Sequence, residues 1–477
     1  MNILHWALIV LNVFVVLIAA GHALFYKRDP RAALGWIAVS IIFPLAGPLL
    51  YYLFGINRVR TRAKKLERRT PFQIDLPKKE GEEKVPFQEI WLRLPEEARE
   101  IARVSEAVTR RPLVAGNRIQ ILHNGEQTYP SMLEAIEGAK RFAYLSTYIF
   151  DTDDTGRSFI EAIHRAVDRH VHVRAIIDGI GEFYSFPRAQ KLMRKRGIRV
   201  ARFMPPRLLP PSVHINLRNH RKILVVDGKV GFAGGMNIGD RHLADNPDNK
   251  DRVVDVHFRV SGPVVSQMAE IFLEDWVFTT GERESPSFPA CPETGKAICR
   301  AIMDGPNEDP DKLAMILVAA FGLARRKVMV MTPYFLPSRE LIGAMQAAAL
   351  RGVEVTVVLP AKNNLPFVHW ATRNMLWELL QRGVRIYYQP PPFVHSKLFL
   401  MDDCYALVGS ANIDPRSLRL NFEFALEIFD HDSCEILETH FEEARRRSRE
   451  VTLQEVDSRP LPARTRDALA WLFTPYL

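Results

Sequence analysis

Cysteine is scarce in this sequence. The 477 residues hold four, Cys291, Cys299, Cys404 and Cys434, and none forms a C-x-x-C pair or another metal-ligand spacing. A cysteine-held metal therefore has no basis, no disulfide is required, and the thiols read as reduced, packed side chains. Low-complexity tracts are absent too, so most of the chain should be globular, with length for two or three domains. Two stretches lack charge altogether. Residues 3–25 (ILHWALIVLNVFVVLIAAGHALF) and 32–54 (AALGWIAVSIIFPLAGPLLYYLF) contain no Asp, Glu, Lys or Arg. Each runs to 23 residues, and about 20 apolar residues span a bilayer as a helix.

Residues 1–56 accordingly read as a membrane anchor of two apolar helices, making the chain a multi-pass membrane protein. A secretory signal fits poorly, because the start lacks Lys and Arg, the apolar run is long, and a second run follows at once. Pro44, Gly47 and Pro48 fall inside the second segment, so it is open to kinking or turning back within the bilayer. Next comes NRVRTRAKKLERR (57–69), with seven basic residues and one Glu. Such a run at a membrane edge marks the cytoplasmic side and binds anionic headgroups, which places the rest of the chain in the cytoplasm. The net charge of +9 favours an anionic partner, nucleic acid or an anionic membrane, without choosing between them. Residues 57–110 read as a basic juxtamembrane segment and linker, with the globular part starting near Arg111.

That part carries a long repeat. HRKILVVDGKVGFAGGMN (220–237) and HSKLFLMDDCYALVGSAN (395–412) share one pattern: H-x-K, four apolar residues, D, six residues, G, a small residue, x, N. The likeness extends upstream. RFAYLSTYIF (141–150) matches RKVMVMTPYF (326–335), each is followed by a helical stretch, and the apolar strands VHVRAIID (171–178) and VEVTVVLP (353–360) follow. Tyr148 to Tyr334 and Gly197 to Gly383 both span 186 residues, whereas His220 to His395 spans 175. The first half therefore has about eleven extra residues, within 203–219. This duplicated β-α-β-α-β order predicts an α/β fold of two similar lobes, 111–288 and 289–477, related by a pseudo-two-fold axis.

Side chains alternate along a strand, so His220 and Lys222 share one face, as do His395 and Lys397. Asp227 and Asp402 lie an odd number of residues away and point to the other face, as partners of backbone or loop groups. Asn237 and Asn412 follow tight Gly-containing turns and offer amide donors to an oxyanion. Two His, two Lys and two Asn in one cleft suit phosphoryl transfer: one neutral His attacks phosphorus while the other, protonated, serves the leaving oxygen. No carboxylate-rich metal site is needed. By chance H-x-K-x4-D occurs roughly once in 10⁴ positions; two copies inside a wider repeat are far more specific.

These residues are the His-Lys-Asp signature of the phospholipase D superfamily, and nearly the whole chain resembles bacterial cardiolipin synthases. The likeness includes the two apolar segments, YIFDTDDTG (148–156), TPYFLP (332–337) and NIDPRSLRLNFE (412–423). It implies phospholipase D-like α/β/α lobes in a bacterial inner-membrane protein, without cofactor, metal or nucleic-acid partner. A phosphatidyl group passes from one phosphatidylglycerol to a histidine, releasing glycerol, and then to a second phosphatidylglycerol. By resemblance His220 is the nucleophile and His395 the general acid and base, although the near symmetry of the motifs leaves that order open. In the family an acidic residue downstream of each motif orients its histidine; Glu423 fits in the second half and Asp255, within VVDVH, in the first. Gly235 departs from the Ser of many relatives, a mild change expected to leave the chemistry undisturbed. Arg207 and Arg218, in the extra segment, are candidates for headgroup or membrane contact, and the C-terminal TRDALAWLFTPYL for packing on the core. A different phosphatidyltransferase, a lipid hydrolase giving phosphatidic acid, and a metal-independent nuclease are the competing activities.

Overall fold

The computed structural model describes residues 3–27, 30–55, 87–206, 217–282, 291–305 and 311–474. The chain separates into two compact units, one formed chiefly by residues 1–71 and the other by most of the remainder.

In the N-terminal unit, the helix Ile3–Tyr26 is the one element among the described residues long and apolar enough to cross a membrane. The second apolar segment does not form a continuous span. It gives a 13-residue helix, Pro30–Ile42, a break, a short helix Ala46–Leu50 and a π turn Tyr51–Gly55. Thirteen residues rise only about 20 Å, short of the roughly 30 Å hydrocarbon layer. The break has a local cause. Pro44 has no N–H to give, and Gly47 packs so tightly that a Cβ there would stand 2.3 Å from the Val39 carbonyl oxygen. His22 Nδ1 meets Tyr51 Oη at 2.7 Å within this unit.

In the second unit the strands run, in chain order, β1 Val114–His123, β2 Phe142–Thr147, β3 His172–Asp178, β4 Val200–Phe203, β5 Ile223–Val226, β6 Val230–Gly234, β7 Val253–Val254, β8 Val256–Ser261 and β9 Ala297–Asp304. They continue with β10 Lys327–Met331, β11 Glu354–Pro360, β12 Arg385–Gln389, β13 Phe393–Val394, β14 Leu398–Met401, β15 Tyr405–Gly409, β16 Glu423–Phe429 and β17 Arg449–Glu450. Fifteen of them form one sheet, ordered β17-β12-β11-β10-β14-β15-β16-β9-β1-β8-β6-β5-β2-β3-β4. Apart from β17, the order read inward from either end is the same, repeat by repeat. The halves meet where β1 runs antiparallel to β9. β2, β3 and β4 are parallel, as are β10, β11 and β12. Their crossover helices include Asp154–Asp168 in the first half, and Arg339–Leu350 and Pro366–Leu380 in the second. Asp153 and Ser338 cap two of these helices through side-chain oxygens, which satisfies amides that the first turn leaves without partners.

Residues 87–109, expected as a linker, are largely helical. Leu94, Ala98, Ile101 and Ala102 are buried in the apolar core of the second half, and Ser105 donates to the buried Glu427. The C-terminal helix Leu461–Leu472 packs through Ala470 and Trp471 against Val368, Trp370 and Ala371. All four cysteines are unpaired.

The motif aspartates are fasteners for strand starts. Asp227 and Asp402 both hold left-handed backbone, φ 54° and 53°. Asp227 accepts from the amides of Lys140, Arg141 and Phe142 at 2.8–2.9 Å. Asp402 accepts from those of Arg325, Arg326 and Lys327 at 2.9–3.1 Å. Asp tolerates this backbone conformation better than most residues do. Replacing Asp402 by Ala strands three amides, and thermal unfolding of the full chain in detergent should show a loss of about 2–4 kcal/mol. An unchanged Tm would sink the fastening role.

Candidate active site

His220 and Lys222 do not lie within a strand, as their pattern suggested, but on the extended segment just before β5; His395 and Lys397 likewise precede β14. Each segment is hydrogen-bonded to the other half. Asn219 pairs in parallel with Phe422, and the His220 amide donates to the Phe422 carbonyl at 2.9 Å. β13 pairs in parallel with β7, and the His395 amide donates to the Val254 carbonyl at 2.8 Å. The residue after each pairing is a histidine on one strand and a carboxylate on the other.

The carboxylates therefore serve the opposite motif. His220 Nδ1 lies 3.1 Å from Glu423 Oε2, and His395 Nδ1 lies 2.9 Å from Asp255 Oδ2. This corrects the expectation that each acid orients the histidine of its own motif. An ionised carboxylate only accepts, so each Nδ1 carries the proton and each Nε2 is left with a lone pair. Both rings open on one cleft of about 1240 Å³, whose walls also include Tyr148, Tyr334, Asn237, Asn412, His242 and Asp414.

The two pairs are not copies. Ser410 donates its hydroxyl to Glu423 at 2.5 Å. Gly235 holds the matching place in the first half, and a Cβ there would stand 2.6 and 2.8 Å from the Asp255 oxygens. The shorter acid thus occupies space that a side chain fills on the other side. Gly235 is required by Asp255 and is no neutral departure.

The lysines are buried beside their histidines. Lys222 Nζ donates to the His220 carbonyl at 2.8 Å and lies 5.5 Å from the centre of the Tyr148 ring. Lys397 Nζ contacts His395 Nδ1 at 3.0 Å and donates to the His395 carbonyl. Burial, only partly offset by Glu423, pushes Lys222 down to about 7. Burial takes Lys397 down to about 8. Burial also lowers both histidines, His395 well below the ordinary imidazole range because Lys397 and Lys222 add to the effect. Burial alone would raise Glu423, but His220 and Lys222 hold it below the usual carboxylate range.

Asn237 Oδ1 accepts from the Ile149 amide at 3.0 Å, an arrangement that leaves its NH₂ for the cleft. Asn412 differs: its Nδ2 donates to Ser417 Oγ at 3.1 Å. Arg218 is not free for a headgroup, since it forks onto Asp178 at 2.6–3.0 Å; Arg207 lies outside the described residues. Several residues had no role assigned from sequence. Arg221, between His220 and Lys222, points to the opposite face and is paired with Asp275 at 2.5 Å. Alternation within H-x-K could have placed it there. Tyr148 stands edge-on to His220 at 5.4 Å and Tyr334 edge-on to His395 at 6.5 Å; their equal spacing in the repeat was the available signal. His242 accepts from the Asn237 amide at 3.3 Å and burial pushes it down to about 3. Nothing in the repeat marks it.

Comparison with known proteins shows the family. The family profile described as "Cardiolipin synthase, PLD-like domain" matches residues 132–276 and 317–445. The chain belongs to the PLD-like cardiolipin synthase family. A second profile, "Phospholipase_D-nuclease N-terminal", matches residues 6–55. The chain is similar to the cardiolipin synthase of Geobacillus thermodenitrificans (strain NG80-2), 31% identical over 99% of this chain and 95% of the relative. It is also similar to cardiolipin synthase A of Pseudomonas putida (strain GB-1), 30% identical over 92% and 91%. The crystal structure of phosphatidylserine synthase from Haemophilus influenzae Rd KW20 shares the fold, with a TM-score of 0.64 at 15% identity, covering 79% of this chain and all of that one.

Because Gly235 makes room for Asp255, Gly235→Ser should lower turnover by about ten-fold or more, although Ser stands at the matching position of the other half. Near-normal turnover by that variant would contradict the spatial argument.

Proposed function

We propose that the cleft makes cardiolipin by phosphatidyl transfer between two phosphatidylglycerol molecules. The observation that carries the reading is the pair of histidines, each held at Nδ1 by a carboxylate of the opposite half and each presenting Nε2 to one cleft. His220 Nε2 attacks the phosphorus of the first lipid. A phosphorus–nitrogen bond forms, the bond to the glycerol headgroup oxygen breaks, and that oxygen takes a proton from His395. A hydroxyl of the second phosphatidylglycerol then gives its proton to His395 while its oxygen attacks phosphorus and frees His220. One phosphodiester replaces another, so the exchange draws on no nucleotide. Asn237 and Asn412 on the cleft wall offer amide N–H groups to the transferring phosphate, and Lys222 and Lys397, buried beside the histidines, add positive charge behind them.

The two halves, 111–288 and 289–477, act as two lobes about a pseudo-two-fold axis, a reading supported by the matching strand orders. The apolar N-terminal helix and the family support membrane association. We assign both apolar segments to the bacterial inner membrane and the catalytic unit to the cytoplasmic side, on the strength of the basic run 57–69.

Phosphatidylglycerol supplied to the wild type should yield cardiolipin and glycerol, and His220→Ala and His395→Ala should both abolish turnover. Phosphatidic acid as the main product, or near-normal activity in either variant, defeats the mechanism. A trapped phosphohistidine on His220 assigns the nucleophile; one on His395 reverses the roles.

The pH profile offers a separate check. Lys222 and Lys397 have lowered pKa values, about 7 and 8, so their charge is lost as pH rises through that window. The anionic headgroup then loses its attraction, and kcat/KM should fall between about pH 7 and 9. Lys222→Arg keeps its charge throughout and should remove the lower inflection, whatever it costs in rate.

A further inference from the structure

Among the described residues of the globular unit, six aromatic side chains are exposed: Phe183, Tyr184, Phe186, Phe367, Trp377 and Phe473. Five of them gather at the cleft. Tyr184, Phe186 and Phe367 line it, Phe183 precedes Tyr184 in the turn Gly181–Tyr184, and Phe473 packs on Phe367 at 5.8 Å between ring centres. They form two lips. The first half supplies residues 183–186, and the second supplies Phe367, with Leu365 beside it, and Phe473. Phe186 is 94% exposed, an arrangement that water disfavours and that soluble surfaces rarely repeat in a cluster.

Basic groups stand among these rings. The Arg188 guanidinium lies 4.2 Å from the centre of the Phe183 ring, and Lys250 and Lys362 are exposed on the cleft wall. Aromatic rings with adjacent cations suit the headgroup layer of an anionic bilayer. A second copy of the chain covering both lips would also cover the opening between them. A surface that carries the substrate can cover both lips and still feed the cleft.

We propose that the two aromatic lips dip into the interfacial layer of an anionic phospholipid bilayer, so that the cleft opens onto lipid and not onto water. The proposal rests on the reading of the cleft as a site for phosphatidyl transfer. It assigns a lipid-contacting role to Phe183, Phe186, Phe367 and Phe473.

The test uses the full chain reconstituted into vesicles of phosphatidylcholine and phosphatidylglycerol. A bimane label on the Phe186→Cys variant should be quenched by acyl chains brominated near the headgroup. The same label on Leu350→Cys, an exposed position that does not line the cleft, should not be; the labelled wild type gives the background. In surface-dilution assays, Phe183→Ser/Phe186→Ser should raise the half-saturating fraction of phosphatidylglycerol by roughly ten-fold. Absence of quenching at position 186, or protection of the label by self-association in detergent, overturns the proposal. Cardiolipin formation by the wild type is measured in the same vesicles. Quenching without any cardiolipin formed would leave the membrane contact standing and remove the catalytic reading.

Discussion

The structure depends on an exchange between its halves. Two short parallel pairings, Asn219 with Phe422 and β13 with β7, carry each histidine to the carboxylate of the opposite repeat. Neither half contains a finished histidine–carboxylate pair. A separated half would present an imidazole with no acceptor for Nδ1 and a carboxylate, Glu423 or Asp255, without its histidine. Burying an uncompensated charge is costly, so the pairs tie catalysis to the docking of the two halves. The β1–β9 seam fixes that docking along the sheet, and the crossed pairs fix it at the cleft. The duplication therefore does more than provide a second histidine.

The same burial sets the electrostatics. Lys222, Lys397, His220 and His395 crowd together, and burial lowers the proton affinity of all four. A phosphodiester anion entering the cleft reverses that balance, because a negative charge nearby favours the protonated forms. The substrate thus helps to create the acid that the reaction needs. His395 is poor at holding a second proton without an anion beside it and better with one. Water, being neutral, offers no such help.

Much of this was readable from the residues. The strand and helix order followed from the repeat, because apolar periodicity in both halves gave the same elements at the same spacing. Asp227 and Asp402 were expected to serve backbone groups and each accepts three backbone amides, although the continuous strand behind that expectation does not form. The crossing was not readable. Partner choice between two nearly identical motifs is decided by tertiary pairing, and the residues beside Asp255 and Glu423 carry no mark of which histidine each will meet. The break in the second apolar segment was readable from Pro44, Gly47 and Pro48, and the helix does stop at Ile42 and resume at Ala46. Residues 87–109 fell within the segment read as linker, yet Leu94, Ala98, Ile101 and Ala102 are buried in the core of the second half, with Ile90 and Trp91 packed against it.

A perfectly symmetric pair of dyads would leave no reason for one histidine to attack and the other to move protons. The departures from symmetry supply one. Glu423 takes a hydroxyl from Ser410 as well as the His220 ring, and both donors stabilise its charge and fix its position. Asp255 lacks a matching hydroxyl, because Gly235 has no side chain, and its histidine also bears the Lys397 ammonium at 3.0 Å. A positive charge so close makes His395 the more reluctant of the two to hold an extra proton, and therefore the readier to release one to a leaving oxygen. His220 has a carboxylate better supplied with donors, which suits a nucleophile that becomes cationic as it bonds to phosphorus. The dyads thus differ in the missing methylene at residue 255, the missing hydroxyl at residue 235 and the lysine contact at His395, and these differences favour the proposed order with His220 as nucleophile.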